Sequence, residues 1–277
     1  MLAQYSKAVA RLVPFVGGGD VLPGDELVRE RVAIGRDRLT DYQRVCGFRV
    51  SDAVPATYPH LLAFPLSMDL MTRLSFPFGV IGLVHVRNEI SLGRPMSADE
   101  SLDVRVRTAN LREHDRGRQF DVLAEAVVGG ETVWTSRSTY LHREAGGGAG
   151  SSSAGERLEP PTPSALWPVP GDQGRRYAAV SGDSNPIHLH PLTARLFGFP
   201  RPIAHGMWVK ARCLAALEGH LPSAFTAAVR FKLPMPLPSK AAFTTRPAGE
   251  AREFAVHDAR SGRPYLSGSV RDSNLGS

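Results

Sequence analysis

The stretch YAAVSGDSNPIHLHPLTARLFGFPRPIAHGM, residues 177–207, decides how this chain is read. It crowds Asp183, Ser184, Asn185 and His188 around one proline, then places His205 and Gly206 at the mouth of an apolar run. That run predicts a helix from about Ala204 to Glu218, with Met207, Ala211, Leu214 and Ala215 on one face. Between the two clusters, LHPLTARLFGFP reads as a short helix, with Pro191 in its first turn and Gly198 closing it.

Outward from this stretch the chain repeats itself. At an offset of 143, YPHLLAFPLSMDLMTRL (58–74) falls on RPIAHGMWVKARCLAAL (201–217). At the same offset Val86, Arg87 and Pro95 fall on Val229, Arg230 and Pro238. At an offset of 135, YQRVCGF (42–48) falls on YAAVSGD (177–183). Their order is kept, so the chain is read as a duplicated domain. The offsets differ by eight because twelve residues separate His188 from Arg201, while four separate Ala53 from Tyr58. The first half therefore lacks the short helix. It also carries Phe48, Ala53, Leu62 and Ala63 where the second carries Asp183, His188, His205 and Gly206. Residues required only for folding would be expected in both copies, so chemistry is expected in the second.

Strand-like alternation flanks each helical segment, in ESLDVRVRTANL, RQFDVLAEAVV and ETVWTSRSTYLH, and later in FTAAVRFKLP, AAFTTRP, REFAVHDA and PYLSGSVRD. One long helix per half against antiparallel strands is an α+β layout. Residues 143–172, Gly/Ser-rich and then Pro-rich, read as a linker between units at 1–142 and 173–277. The 277 residues are 42% apolar, a globular composition. No apolar run approaches a membrane span, and the N-terminus lacks a signal-peptide pattern, so a cytoplasmic location and no membrane partner are expected. The net charge is +6, but only four of 33 basic residues are lysines and no basic tract interleaves with aromatics, so no nucleic-acid partner is expected. Cys46 and Cys213 form no metal or redox spacing.

Taken singly, these polar residues have ordinary explanations. Asp183 and Asn185 can cap a turn before a proline, and His188 or His205 can hold a loop by hydrogen bonds. Asp183, His188, His190 and His205 include usable metal ligands, but their spacing matches no zinc pattern, and no metal is expected. Neither Ser181 nor Ser184 sits in a nucleophile elbow. Together the residues suit acid–base work on water. Asp183 and His188, five apart across a proline turn, can converge on one water. Gly206, opening a helix, can offer an N–H to a carbonyl oxygen that gains negative charge. This chemistry adds water beside an activated carbonyl, or removes it.

The D-x-N-P-x-H and A-H-G-M elements closely resemble the hydratase-2 motif of the MaoC-like dehydratases, the (R)-specific enoyl-thioester hydratases. The weaker first half resembles the degenerate copy of double hot-dog 3-hydroxyacyl-thioester dehydratases of actinobacterial type. The resemblance implies a double hot-dog, two antiparallel sheets each wrapped around a central helix, with a degenerate first half and a catalytic second half paired as a pseudo-dimer. It implies reversible hydration of trans-2-enoyl thioesters to (R)-3-hydroxyacyl thioesters by a hydro-lyase needing no cofactor. Asp183 and His188 would form the catalytic pair, Gly206 the oxyanion donor, and Asn185 and His205 the supporting turn. Substrate would arrive as acyl-CoA or on acyl carrier protein, and a homodimer of pseudo-dimers is compatible with this reading. Because the first half lacks the short helix, its side of the tunnel is expected to be open to medium or long chains. Phe64, Met68 and Met71 are expected to line it, with Leu66 and Leu70 as further candidates. Two alternatives stay open: an acyl thioesterase of the same fold class, and a non-catalytic acyl-carrier binding protein.

Overall fold

A computed structural model describes residues 21–80, 82–144 and 162–272. The first half runs β1 (Glu26–Ala33), α1 (Arg36–Cys46), β2 (Ala53–Val54), α2 (Pro59–Met71), β3 (Val84–Leu92), β4 (Met96–Ser97), β5 (Ser101–His114), β6 (Gly117–Val128) and β7 (Glu131–Arg143). The second runs β8 (Ala165–Val169), α3 (Gln173–Ser181), a 3-10 turn (Pro186–His188), α4 (Pro191–Leu196), α5 (Gly206–Ala216), β9 (Phe225–Phe231), β10 (Ser239–Ala248), β11 (Ala251–Asp258) and β12 (Pro264–Asp272). Each half thus has a leading helix, a central helix and a meander, and the second half alone adds α4.

Alternation sets the sheet. In β5, Leu102, Val104, Val106 and Thr108 are buried while intervening positions stay more exposed. The long helices are apolar over most of their circumference, which suits a helix enclosed by a sheet. Leu61, Leu62, Met68, Leu70 and Met71 of α2 are buried, and α2 packs on β1, β5 and β6. In α5, Met207, Trp208, Val209, Ala211, Cys213 and Leu214 are buried.

The sheets expected to be two are joined edge to edge. A single antiparallel sheet of ten strands runs β1-β5-β6-β7-β3-β9-β12-β11-β10-β8, five strands from each half. The seam is β3 against β9, where the unpaired edge of one copy satisfies that of the other. Arg87 pairs with Arg230 there, so each meets its own counterpart at the offset of 143 and the pseudo-twofold axis passes between them. The shorter helices obey the same symmetry. Tyr42 and Tyr177 lie 6.3 Å apart by ring centroid, and Gly47 and Gly182 end α1 and α3 in left-handed conformation, at φ 80° and 82°. Arg38 of α1 donates to the carbonyls of Val180 and Ser181 at the end of α3.

A buried lysine crosses the seam. Lys210 Nζ, in α5, donates to Asn88 Oδ1 (2.5 Å) in β3 and to the Ala227 carbonyl (2.9 Å) in β9. Asn88 Nδ2 donates to Ser136 Oγ and Ser138 Oγ at 3.1 and 3.0 Å. Burial pushes the Lys210 amine well below its ordinary range.

One expected boundary is corrected. β8 lies inside the stretch 143–172 read as linker, yet it pairs with β10, and Trp167 is buried and stacked on Phe243 at 4.8 Å. Pro168 disguises it, because proline is tolerated only where a ladder N–H is not needed, and β8 is a sheet edge. The second unit therefore starts with β8, the counterpart of β1. Residues 145–161 of that stretch lie outside the described residues. The helix expected over Ala204 to Glu218 is Gly206–Ala216, followed by a 3-10 turn at Glu218–His220. Among the described residues no helix is long and apolar enough to cross a membrane.

Candidate active site

The residues singled out in the second half meet at one end of a cavity of about 260 Å³. Gly182 turns the chain out of α3, and the Asp183 N–H donates to Ser181 Oγ (3.1 Å). Asp183 Oδ1 accepts the Asn185 N–H (3.2 Å), and Asn185 Oδ1 accepts the Ile187 N–H (3.3 Å), capping the 3-10 turn that carries His188. Two consecutive Asx contacts thus fix the spacing from carboxylate to imidazole.

His188 Nδ1 lies 2.7 Å from the Ile203 carbonyl. A carbonyl only accepts, so Nδ1 carries the proton and Nε2 is left as the ring's acceptor. Burial lowers the His188 pKa, against the neighbouring Asp183 charge that raises it. His205 Nε2 donates to the Asp183 carbonyl (3.0 Å) and lies 3.9 Å from Asp183 Oδ2, bracing the turn from the opposite side. Its ring stacks on His188 at 3.6 Å and sits 4.9 Å from Tyr177. Burial, then the adjacent His188, drive the His205 pKa down to about 3.

Asp183, His188 and His205 each bring a potential ligand atom within 4.8 Å of the others. A shared zinc ion has to lie close to both imidazole planes, about 2 Å from each nitrogen. Rings stacked at 3.6 Å and 29° from parallel do not offer such a point. The arrangement suits a water held between a carboxylate and an imidazole instead.

Gly206 is the first residue of α5, so its N–H has no partner within the helix and feels the positive end of its dipole. A Cβ there would come within 2.8 Å of the Phe231 ring, so glycine admits that ring beside the helix start. The short helix α4 is tied to the turn by Thr193 Oγ1, which donates to the Pro186 carbonyl (2.7 Å). His190 faces away from the pair and caps α4 by accepting the Leu192 N–H.

Phe64, Met68 and Met71 of α2 line the cavity. Leu66 and Leu70 do not. Leu70 points into the core and is wholly buried, and Leu66 packs against that core.

Reading the sequence missed several residues here. His60, His85 and Tyr140 come from the first half and line the cavity. Gly174 is a further one, since a Cβ there would lie 1.9 Å from the His188 carbonyl oxygen. A glycine inside a helix is disfavoured, and that was the available signal. Gly174→Ala is expected to gain helix propensity of about 1 kcal/mol yet push the His188 turn aside. Its kcat/KM should fall about tenfold or more, while Gly219→Ala, where a Cβ meets nothing within 4 Å, should behave like the parent in steady-state assays. Equal kinetics for both variants would contradict the packing argument.

The profile of the MaoC like domain matches residues 154–260, a span containing the whole turn and the start of α5. The chain is 37% identical to 3-hydroxyacyl-thioester dehydratase X of Mycobacterium tuberculosis, over 98% of this chain and 97% of that protein. The chain belongs to the MaoC-like dehydratase family. The crystal structure of HtdX from Mycobacterium tuberculosis superposes with a TM-score of 0.81 at 36% identity, covering 90% of this chain and all of that one. A MaoC-like dehydratase from Phytophthora capsici shares the fold, with a TM-score of 0.74 at 18% identity over 93% of this chain and 98% of its own. The span matched by the MaoC-like profile contains Asp183 and His188, whose first-half counterparts are Phe48 and Ala53.

Proposed function

We propose that this chain is a hydro-lyase interconverting trans-2-enoyl thioesters and (R)-3-hydroxyacyl thioesters, with its acid–base residues in the second half only. The observation that carries the site assignment is the hydrogen bond from His188 Nδ1 to the Ile203 carbonyl, which leaves the ring's other nitrogen as acceptor in the cavity shared with Asp183. In hydration, a water held between the two adds its oxygen to the β-carbon while one member of the pair takes a proton from it. The proton taken up is then returned from the pair to the α-carbon, so the pair's proton count is unchanged over the cycle. The electrons pushed toward the thioester oxygen are met by the Gly206 N–H, a contact of a kind that stabilises by about 3–4 kcal/mol.

Asn185 and His205 hold the turn and stay outside the proton transfers. The substrate is carried as a thioester of coenzyme A or of acyl carrier protein. The first half supplies the far wall of the acyl tunnel through Phe64, Met68 and Met71.

Chain length tests this reading. Each buried methylene contributes up to about 0.8 kcal/mol, so four more carbons in the tunnel should raise kcat/KM over tenfold. Eight-carbon enoyl thioesters are expected to outperform crotonyl thioester by that margin. A series that peaks at four carbons and falls steeply by eight would show the tunnel closed.

A further inference from the structure

Three polar side chains of the first half line the cavity with hydrogen-bonding capacity that no group among the described residues takes up. They are His60 in α2, His85 in β3 and Tyr140 in β7. His85 Nε2 is buried and unpartnered. Among the described residues neither the Tyr140 hydroxyl nor the His60 ring makes a hydrogen bond. The His85 ring stacks on Tyr140 at 4.7 Å and leans on Phe231 at 4.8 Å, and Phe231 is the ring that Gly206 accommodates. The polar set therefore lies one ring beyond the start of α5. All three groups feel the charge of Asp183, which raises the pKa of each, although burial dominates and lowers both histidines.

The fold does not demand the two histidines. At the offset of 143, His60 and His85 correspond to Ile203 and Ala228, apolar residues in the same scaffold. Their other neighbours on the cavity wall, Phe64, Met68 and Met71, are what an alkyl chain requires. Water can satisfy the polar set while the cavity is open. Once an acyl chain fills it, a run of methylenes would leave a hydroxyl and two imidazoles stranded, and each loses binding strength thereby.

We propose that His60, His85 and Tyr140 form a specificity determinant for acyl thioesters bearing a hydroxyl on the chain beyond the β-carbon. A hydroxyl both donates and accepts, matching a phenol and neutral imidazoles that do the same. The inference rests on the hydratase reading above.

The test is a series of enoyl-CoA thioesters of one chain length, each with a single hydroxyl at a successive carbon beyond the β-carbon, against the unsubstituted chain. At one position the wild-type protein should show kcat/KM about tenfold or more above the unsubstituted chain. Tyr140→Phe keeps the ring stack and removes only the oxygen. It should lower kcat/KM for that hydroxylated chain about tenfold and raise it about twofold for the unsubstituted one. A purely structural role cannot produce opposite changes. Both rates falling together in Tyr140→Phe, or a wild-type preference for the unsubstituted chain against every hydroxyl position, would overturn the inference and leave the hydratase reading intact. If the wild-type protein hydrates no chain at all, the hydratase reading itself fails and this inference with it.

Discussion

Asp183→Asn and His188→Ala are each expected to cut kcat/KM for enoyl-thioester hydration at least about a hundredfold, with the double variant little worse than the poorer single one. The non-additivity is the informative part. A water positioned by two groups and deprotonated by one loses nearly everything when either is removed, so the second removal has little left to abolish. Asparagine at 183 keeps an oxygen to accept the Asn185 N–H, so the turn should persist while the charge is lost. Alanine at 188 leaves the Ile203 carbonyl without its imidazole, and the bracing by His205 should still hold the loop. Circular dichroism and melting temperature close to those of the parent would show that the fold survives. Near-normal turnover in either folded single variant would remove that residue from the mechanism.

Acid should unfold this protein well before its carboxylates titrate. His60, His85 and His205 are held down to about 4, 3 and 3 respectively, chiefly by burial, and His188 is lowered as well. The unfolded chain protonates histidine near 6.5. Above that pH these groups are neutral in both states and contribute nothing to the pH dependence. Below it the unfolded state binds protons that the folded state refuses, so stability falls as pH falls. The loss continues until the folded pKa values are reached, near 4 for His60 and 3 for the other two. Each group costs about 1.4 kcal/mol per pH unit in that window, and three together about 4. A domain stabilised by about 5–15 kcal/mol loses much of that between pH 6.5 and 4.5. The melting temperature should accordingly drop by about fifteen degrees or more between pH 7 and 5. Asp258, whose pKa is lowered by its bonds to Ser261 and Tyr265 against a desolvation that raises it, loses its contribution only as the pH falls below the ordinary carboxylate range. A melting temperature flat between pH 7 and 5 would show that the histidines take up protons in the folded state.

The turn that carries the proposed acid–base pair was legible because one continuous stretch builds it. Asp183, Asn185 and His188 share a turn whose chemistry is local, and the first copy of the fold acts as an internal control by lacking Asp183 and His188. The far end was not legible. His60, His85 and Tyr140 are separated by most of the first half, and only the closing of β3 and β7 beside α2 brings them to one wall. Phe64, Met68 and Met71 were reachable through helical spacing, but spacing alone does not separate them from Leu66 and Leu70, whose direction depends on how α2 sits against the sheet. β8 was hidden by its proline and its shortness. The offset of 143 revealed a duplication, and Arg87 facing Arg230 shows that the same offset carries the register of the seam. A repeat in sequence contains no statement that its copies share an edge.

The most direct test is to mix the purified chain with trans-2-octenoyl-CoA and follow enoyl absorbance and free thiol in the same sample. The account expects the absorbance to fall to an equilibrium value with no thiol released, the product to be (R)-3-hydroxyoctanoyl-CoA, and Asp183→Asn to leave the absorbance nearly still. Release of free thiol in step with the fall in enoyl absorbance, with no hydroxyacyl thioester formed, would identify a thioesterase, and an unchanged sample would identify a binding protein; either contradicts it.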